Sequence, residues 1–159
     1  MTKVYSTGCR FRLRYGTKLS NTSPKRPIGA KKFVLLHHGR CYRDSFHYRI
    51  GADATIEHLE SDDLSTQHPN SIGIQLVGDF DTESVPPRQL QALKDLLLDL
   101  KLRYPAVQIG AHRQVRRDKK TTCPGRQFPM RELREWANTH LLDQRDDVLR
   151  EVIESQYRP

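Results

Sequence analysis

The sequence predicts a mixed α/β fold, one domain with a central mixed β-sheet flanked by about three helices. Three observations carry that prediction. Short apolar runs recur at strand length, one long segment carries leucines at spacings of three and four, and prolines stand where helices should begin or stop. The length of 159 residues suits a single well-packed core and is short for two.

Residues 1–31 are basic and turn-rich and are expected to form an N-terminal extension. Within them Arg10-Phe11-Arg12-Leu13-Arg14-Tyr15 alternates charged and apolar side chains at period two, as an exposed or edge strand does. Asn21 to Pro27, with two prolines among small polar residues, reads as a loop. The main domain is expected over 32–142. Phe33–His38 is a central strand, Phe46–Gly51 and Ala54–Leu59 are two strands joined by a turn at Ala52-Asp53, and Ser71–Val77 is a fourth with Ile72, Ile74 and Leu76 on one face. Pro87 sits where a helix would begin, and Leu90, Leu93, Leu97, Leu100 and Tyr104 form its apolar stripe until Pro105 stops it. Val107–His112 is a further strand, and Pro129 opens a shorter helix carrying Leu133, Trp136 and Leu141. Residues 143–159 are expected to be a C-terminal extension, helical and charged over 144–156.

The formal net charge of +8, from 27 Lys+Arg against 19 Asp+Glu, favours polyanionic surroundings: nucleic acid, anionic lipid or an acidic cell wall. Nucleic acid is disfavoured, because no helix-turn-helix, finger or RNA-binding signature accompanies the charge. No segment reaches the roughly 20 apolar residues of a membrane span. Three cysteines, Cys9, Cys41 and Cys123, are an odd number without the density of a disulfide scaffold, which points to a reducing compartment. The first ten residues show no apolar signal region, so synthesis in the cytoplasm without a signal peptide is the expectation. Monomer is the default for this size.

Three pieces of sequence carry possible chemistry. His37-His38 ends an apolar strand, His112 ends another, and Thr121-Thr122-Cys123-Pro124-Gly125 is a short loop before a helix. Imidazole and thiolate are good zinc ligands, and a catalytic zinc takes three protein ligands and keeps one position for water. Taken singly, a histidine at a strand end is more often structural, and a cysteine before Pro-Gly more often a small buried residue.

In combination these pieces resemble a known family. Leu35-Leu36-His37-His38, Phe46-His47-Tyr48-Arg49-Ile50-Gly51-Ala52-Asp53, Asn70 to Phe80, Ala111-His112-Arg113-Gln114-Val115 and Thr121 to Gly125 look like the amidase_2 family. That family includes amidase-type phage lysozymes, bacterial N-acetylmuramoyl-L-alanine amidases and animal peptidoglycan recognition proteins. The resemblance covers about residues 32–140. It implies a peptidoglycan-recognition-protein-like fold and a Zn²⁺ cofactor held by His37, His112 and Cys123. It also implies hydrolysis of the amide between N-acetylmuramic acid and L-alanine, with Thr121 helping to stabilise the oxyanion. His68 resembles the substrate-side histidine of some relatives. The expected partner is peptidoglycan or a soluble muropeptide, met at the cell wall after release or export, as by an endolysin, or in the cytoplasm.

Two positions depart from the family pattern. Many members carry a tyrosine where this chain has Phe46, and others a glutamate where it has Gln75; both positions line the expected substrate site. The alternative reading is therefore a catalytically silent peptidoglycan or muropeptide binder on the same fold. Tyr42, Glu57, Glu60, Asp62 or Asp63 could replace the missing base from a loop, though the acids also suit a solvated hairpin surface. The segment between His37 and Phe46 is shorter than in most relatives. The basic run Arg116-Arg117-Asp118-Lys119-Lys120 reads either as a cradle for a stem-peptide carboxylate or as a solvated loop. His38, His47, His58 and His140 are expected to be structural.

Overall fold

Hydrogen bonding joins seven strands into one mixed sheet. The structure is a computed structural model that describes residues 4–7, 11–15, 31–41, 45–116 and 121–140, the first two segments as backbone only. The strands are β1 (Val4–Thr7), β2 (Phe11–Tyr15), β3 (Phe33–His38), β4 (Tyr48–Ile50), β5 (Ile56–His58), β6 (Ser71–Leu76) and β7 (Gln108–Ala111). They lie in the order β1-β2-β5-β4-β6-β3-β7. Helix α1 spans Pro87–Arg103, and a 3₁₀ turn, His112–Gln114, follows β7 directly. The chain falls into two compact units, Met1–Phe128 and Pro129–Pro159.

The predicted α/β class is observed. At the centre β3, β4, β6 and β7 run parallel, so their C-terminal ends share one edge of the sheet. In open α/β sheets that edge is where ligands bind. β4 and β5 form the expected antiparallel hairpin. Its turn is closed by Gly51 and Thr55, with Asp53 accepting from both the amide and the hydroxyl of Thr55. The ladder is shorter than the sequence suggested. The Gly73 amide donates to the His47 imidazole, so Phe46 and His47 lie just outside β4. The alternating segment before Tyr15 is not at an edge: β2 pairs with β5 on one side and with β1 on the other.

α1 begins at Pro87, whose missing N–H is no loss in a first helical turn, and ends with Lys101 and Arg103 against the negative end of the helix dipole. It buries Leu93, Leu96, Leu97 and Leu100, each contributing about 1.5–3 kcal/mol relative to exposure. Two polar ties fix it to the sheet. The fully buried Gln89 donates through Nε2 to the carbonyls of Ile50 (3.1 Å) and Val77 (2.9 Å), at the ends of β4 and β6. At the other end Arg103 reaches Tyr48 and Asp62. Asp62 is no solvated hairpin acid. It is buried and accepts from Tyr48 (2.8 Å), His58 Nε2 (3.1 Å), Arg103 (2.6 Å) and Tyr104 (3.1 Å). Burial alone would raise its carboxyl, but these donors and the Arg103 charge outweigh that and hold it well below the usual carboxylate range.

In the second unit residues 130–140 are helical (α2), opening at Pro129 as expected, with Met130, Leu133 and Ala137 buried. The expected helix over 144–156 lies outside the described residues. No helix among the described residues is long and apolar enough to cross a membrane.

Candidate metal centre

Parallel register dictates that residues ending neighbouring strands become neighbours. β3 pairs Leu36 with Ala111 of β7, so the next residues, His37 and His112, emerge side by side with ring centroids 4.6 Å apart. Across β6, His37 is in register with Gln75, and Gln75 with Arg49 of β4. These three occupy the sheet face opposite to α1, since Ile74, Leu76 and Tyr48 take the other. Cys123 arrives from the loop after the 3₁₀ turn, its sulphur 3.7 Å from His37 Nδ1.

A fourth donor completes the group. Cys41, in the turn after β3, places its sulphur 3.5 Å from His37 Nδ1 and 3.5 Å from His112 Nδ1. The donor atoms of His37, Cys41, His112 and Cys123 all lie within 4.8 Å of one another. The sequence reading assigned Cys41 no role; the one available signal was a His-x₃-Cys spacing from His37.

The loop bearing Cys123 is held by its own anchors. Asp81 accepts from the Thr122 hydroxyl (2.8 Å) and the Arg126 amide (3.0 Å). The Arg113 amide donates to the Cys123 carbonyl (2.9 Å), and the Arg113 guanidinium to the Gly125 carbonyl (2.9 Å). The Gln127 amide donates to the Phe80 carbonyl (2.7 Å). Gly125 has φ +119°, and a Cβ there would lie 2.3 Å from the Phe80 carbonyl carbon. Only glycine fits that approach.

Electrostatically the pocket resists charge when it holds only protein. Burial lowers the His37 pKa, while a hydrogen bond with Cys41 together with burial pushes the Cys123 thiol far up. His37, His112 and Cys123 are fully buried. A divalent cation reverses the preference for the thiol, because coordination stabilises thiolate and needs neutral imidazole. Two imidazoles presenting Nδ1 to two sulphurs are a donor set suited to zinc.

Residues 15–126 match the family model described as N-acetylmuramoyl-L-alanine amidase. The chain belongs to that amidase family. Among its relatives, the endolysin of Klebsiella phage KP32 is 29% identical over 126 residues, 72% of this chain and 83% of that one. The endolysin of Escherichia phage T7 is 29% identical over 107 residues, 60% of this chain and 71% of that one. The fold is that of LysCS, an endolysin amidase from Clostridium intestinale, with TM-score 0.69, 22% identity and coverage of 79% and 95%. It is also that of a mutant of Drosophila PGRP-LB in complex with tracheal cytotoxin, with TM-score 0.62, 24% identity and coverage of 79% and 92%.

Around the amidase pocket the other singled-out residues divide. His68 stacks on His37 (5.7 Å, 10°) and meets His112 edge-on (4.8 Å). Phe46 tilts against His37 at 4.9 Å, so its ring stands beside the imidazole and brings no hydroxyl. The amide oxygen of Gln75 accepts from Arg49 Nε (2.9 Å). Thr121 accepts the Cys123 amide through Oγ1 (3.1 Å). Among the alternative bases, Asp62 is committed to the α1-side network, Asp63 pairs with Lys31 (3.1 Å), and Tyr42 lies outside the described residues. Arg117 to Lys120 of the basic run also lie outside them.

Two of the histidines expected to be structural tie neighbouring elements together. His47 accepts from Gly73 at Nδ1 and donates from Nε2 to the Leu64 carbonyl (2.7 Å). His58 stacks on Tyr48 at 4.4 Å. His38, Asp79 and Asp81 form a second cluster. Their carboxylates are engaged, however: Asp81 holds the loop, and Asp79 accepts from Arg40 (2.8 Å) and the Asp81 amide (3.2 Å).

Proposed function

We propose that this chain is a zinc-dependent N-acetylmuramoyl-L-alanine amidase that cuts the muramic acid to L-alanine bond of peptidoglycan, acting on the cell wall as an endolysin. The observation that carries the reading is the convergence of His37, His112 and Cys123 at the carboxyl edge of the parallel strands. The endolysin and amidase relatives agree with it. The PGRP-LB complex supports a muropeptide as the ligand class.

In this reading His37 and His112 bind through Nδ1, and Cys123 through its sulphur. Zinc bound there supplies a Lewis acid for the carbonyl and a water that ionises near neutral pH. Thr121, whose oxygen already accepts the Cys123 amide, keeps its O–H to donate to the oxygen on which charge develops, an effect of about 2–4 kcal/mol. His68 and Phe46 flank His37 and form the wall along which the scissile amide lies. Gln75, with its oxygen taken by Arg49, presents its NH₂ group to the substrate as a donor. The reading keeps residues 32–142 as the amidase domain, to whose sheet the preceding segment adds β1 and β2.

Digestion of purified peptidoglycan tests this directly, with released peptides read by mass and N-terminal analysis. Stem peptides that begin with free L-alanine are expected from the zinc-loaded protein and not from chelated or Cys123→Ser protein. Zinc demonstrably bound without release would instead make the chain a wall binder, the reading that Phe46 and Gln75 favour.

A further inference from the structure

A catalytic zinc site keeps one coordination position open, whereas a site with four protein ligands is closed. This pocket presents four donors. Cys41 lies 3.5 Å from each histidine Nδ1, slightly nearer to His37 than Cys123 is at 3.7 Å. It differs from the other three in its surroundings. His37, His112 and Cys123 are fully buried, while Cys41 is half-buried and so lies on the solvent side of the group.

The two cysteines are also held differently. Cys123 sits in a loop tied down through Asp81, Arg113 and Phe80. Cys41 rides a turn in which its amide donates to the His38 carbonyl (3.0 Å), and its sulphur rests against the side-chain amide of Gln67 at 3.9 Å. The two sulphurs thus reach the pocket from two separate segments, each following one of the two histidines in the chain.

Resting on the metal-site reading above, we propose that Cys41 is a fourth metal ligand that closes the site at rest and must withdraw before the amide can be cut. Occupied by the Cys41 thiolate, the position that water needs is blocked. On withdrawing, the Cys41 sulphur would take up a proton from solvent and leave its place to water. The opening ligand is the peptidoglycan strand itself, which must enter from the same solvent side.

Cobalt reports the number of thiolate ligands through its sulphur-to-metal charge-transfer absorption. The cobalt-loaded wild-type protein should show a two-thiolate band. In Cys41→Ala and Cys41→Ser the band should fall to about half, with one metal still bound per chain and an unchanged circular dichroism spectrum. Zinc should protect Cys41 from iodoacetamide in the wild-type protein, read by peptide mass, and a chelator should expose it. Zinc-loaded Cys41→Ala should release stem peptides several-fold faster than wild type. A cobalt band identical in wild type and Cys41→Ala, or equal alkylation with and without zinc, overturns the proposal. A halved band with unchanged or slower release overturns the closing role. Failure of the wild-type protein to take up cobalt at all overturns the metal reading along with it, which separates the two failures.

Discussion

Replacing Gly125 with alanine should unseat Cys123 without altering any metal donor. The new Cβ would stand 2.3 Å from the carbonyl carbon of Phe80, 2.4 Å from its oxygen and 2.7 Å from its Cβ. The first two are backbone atoms, so no side-chain rotation relieves the contact. The residue would also have to hold φ +119°. A non-glycine residue in such a region costs about 1–3 kcal/mol. Forcing one extra carbon into a packed site costs about 1–3 kcal/mol more. The sum, about 2–6 kcal/mol, is a large share of the roughly 5–15 kcal/mol that holds a domain together. At about 4 °C per kcal/mol, the melting temperature should drop by roughly 8–24 °C. Part of the strain should be relieved by the loop lifting off Phe80 and carrying Cys123 with it, so zinc affinity should fall by about 10–100-fold. Thermal denaturation of the chelated protein and competition for zinc against a chromophoric chelator measure the two effects. A Gly125→Ala protein with wild-type melting temperature and wild-type zinc affinity would refute the reasoning, because it would mean that the loop is not pressed onto Phe80.

Asp62→Ala should cost about 3 kcal/mol, measured by urea denaturation, because it strips Tyr48, His58, Arg103 and Tyr104 of a shared buried acceptor. Zinc affinity should stay at the wild-type value, since that network lies on the α1 side of the sheet. Stability of the chelated protein should fall as pH drops below about 6.5, where the unfolded chain protonates histidines that burial keeps neutral in the fold, His47 among them. The unfolded state then binds more protons, so the slope of stability against pH is positive. A second loss should begin below about pH 4, as the unfolded chain protonates Asp62 and the fold resists. A denaturation midpoint constant from pH 7.5 to pH 3 would contradict both assignments. Removing zinc with a chelator should abolish peptide release yet leave the far-ultraviolet circular dichroism intact, and a collapse of that signal would show that the metal holds the fold.

Much of the architecture was legible because periodicity and length report burial directly. The apolar run Phe33–His38, the leucine stripe after Pro87 and the turn at Ala52-Asp53 each became the element their pattern required. What periodicity does not report is position within the sheet. The alternation before Tyr15 marks two faces and says nothing of neighbours, so it could not reveal that Val4–Thr7 covers the far side of β2. The grouping of His37, His112 and Cys123, the proposed ligands, was legible through motif order, and register then explains why the histidines meet. Cys41 was not, because its place depends on the path of a turn, to which the sequence gives only a spacing. Asp62 misled for a related reason. A single acid in a loop looks solvated until four donors from β4, β5 and the end of α1 are seen to converge on it.

The two faces of the sheet divide the work. On the α1 side, leucines, the two bonds from Gln89 Nε2 and the four donors on Asp62 supply stability. On the other side, His37 is buried with its Nε2 lacking a hydrogen-bond partner among the described residues, and the Cys123 thiol gains little from ionising without a cation. A fold tolerates such a pocket only where something else secures the chain around it. Here the histidines are secured by the parallel ladder itself, and Cys123 by a loop whose anchors, Asp81, Arg113 and Phe80, do not involve the metal. The histidine pair is thus a property of the fold, while the place of the Cys123 sulphur is a property of one loop. It follows that, the donors themselves and Gly125 apart, changes which tune metal affinity without loss of the fold should fall in 121–128 and in the turn bearing Cys41.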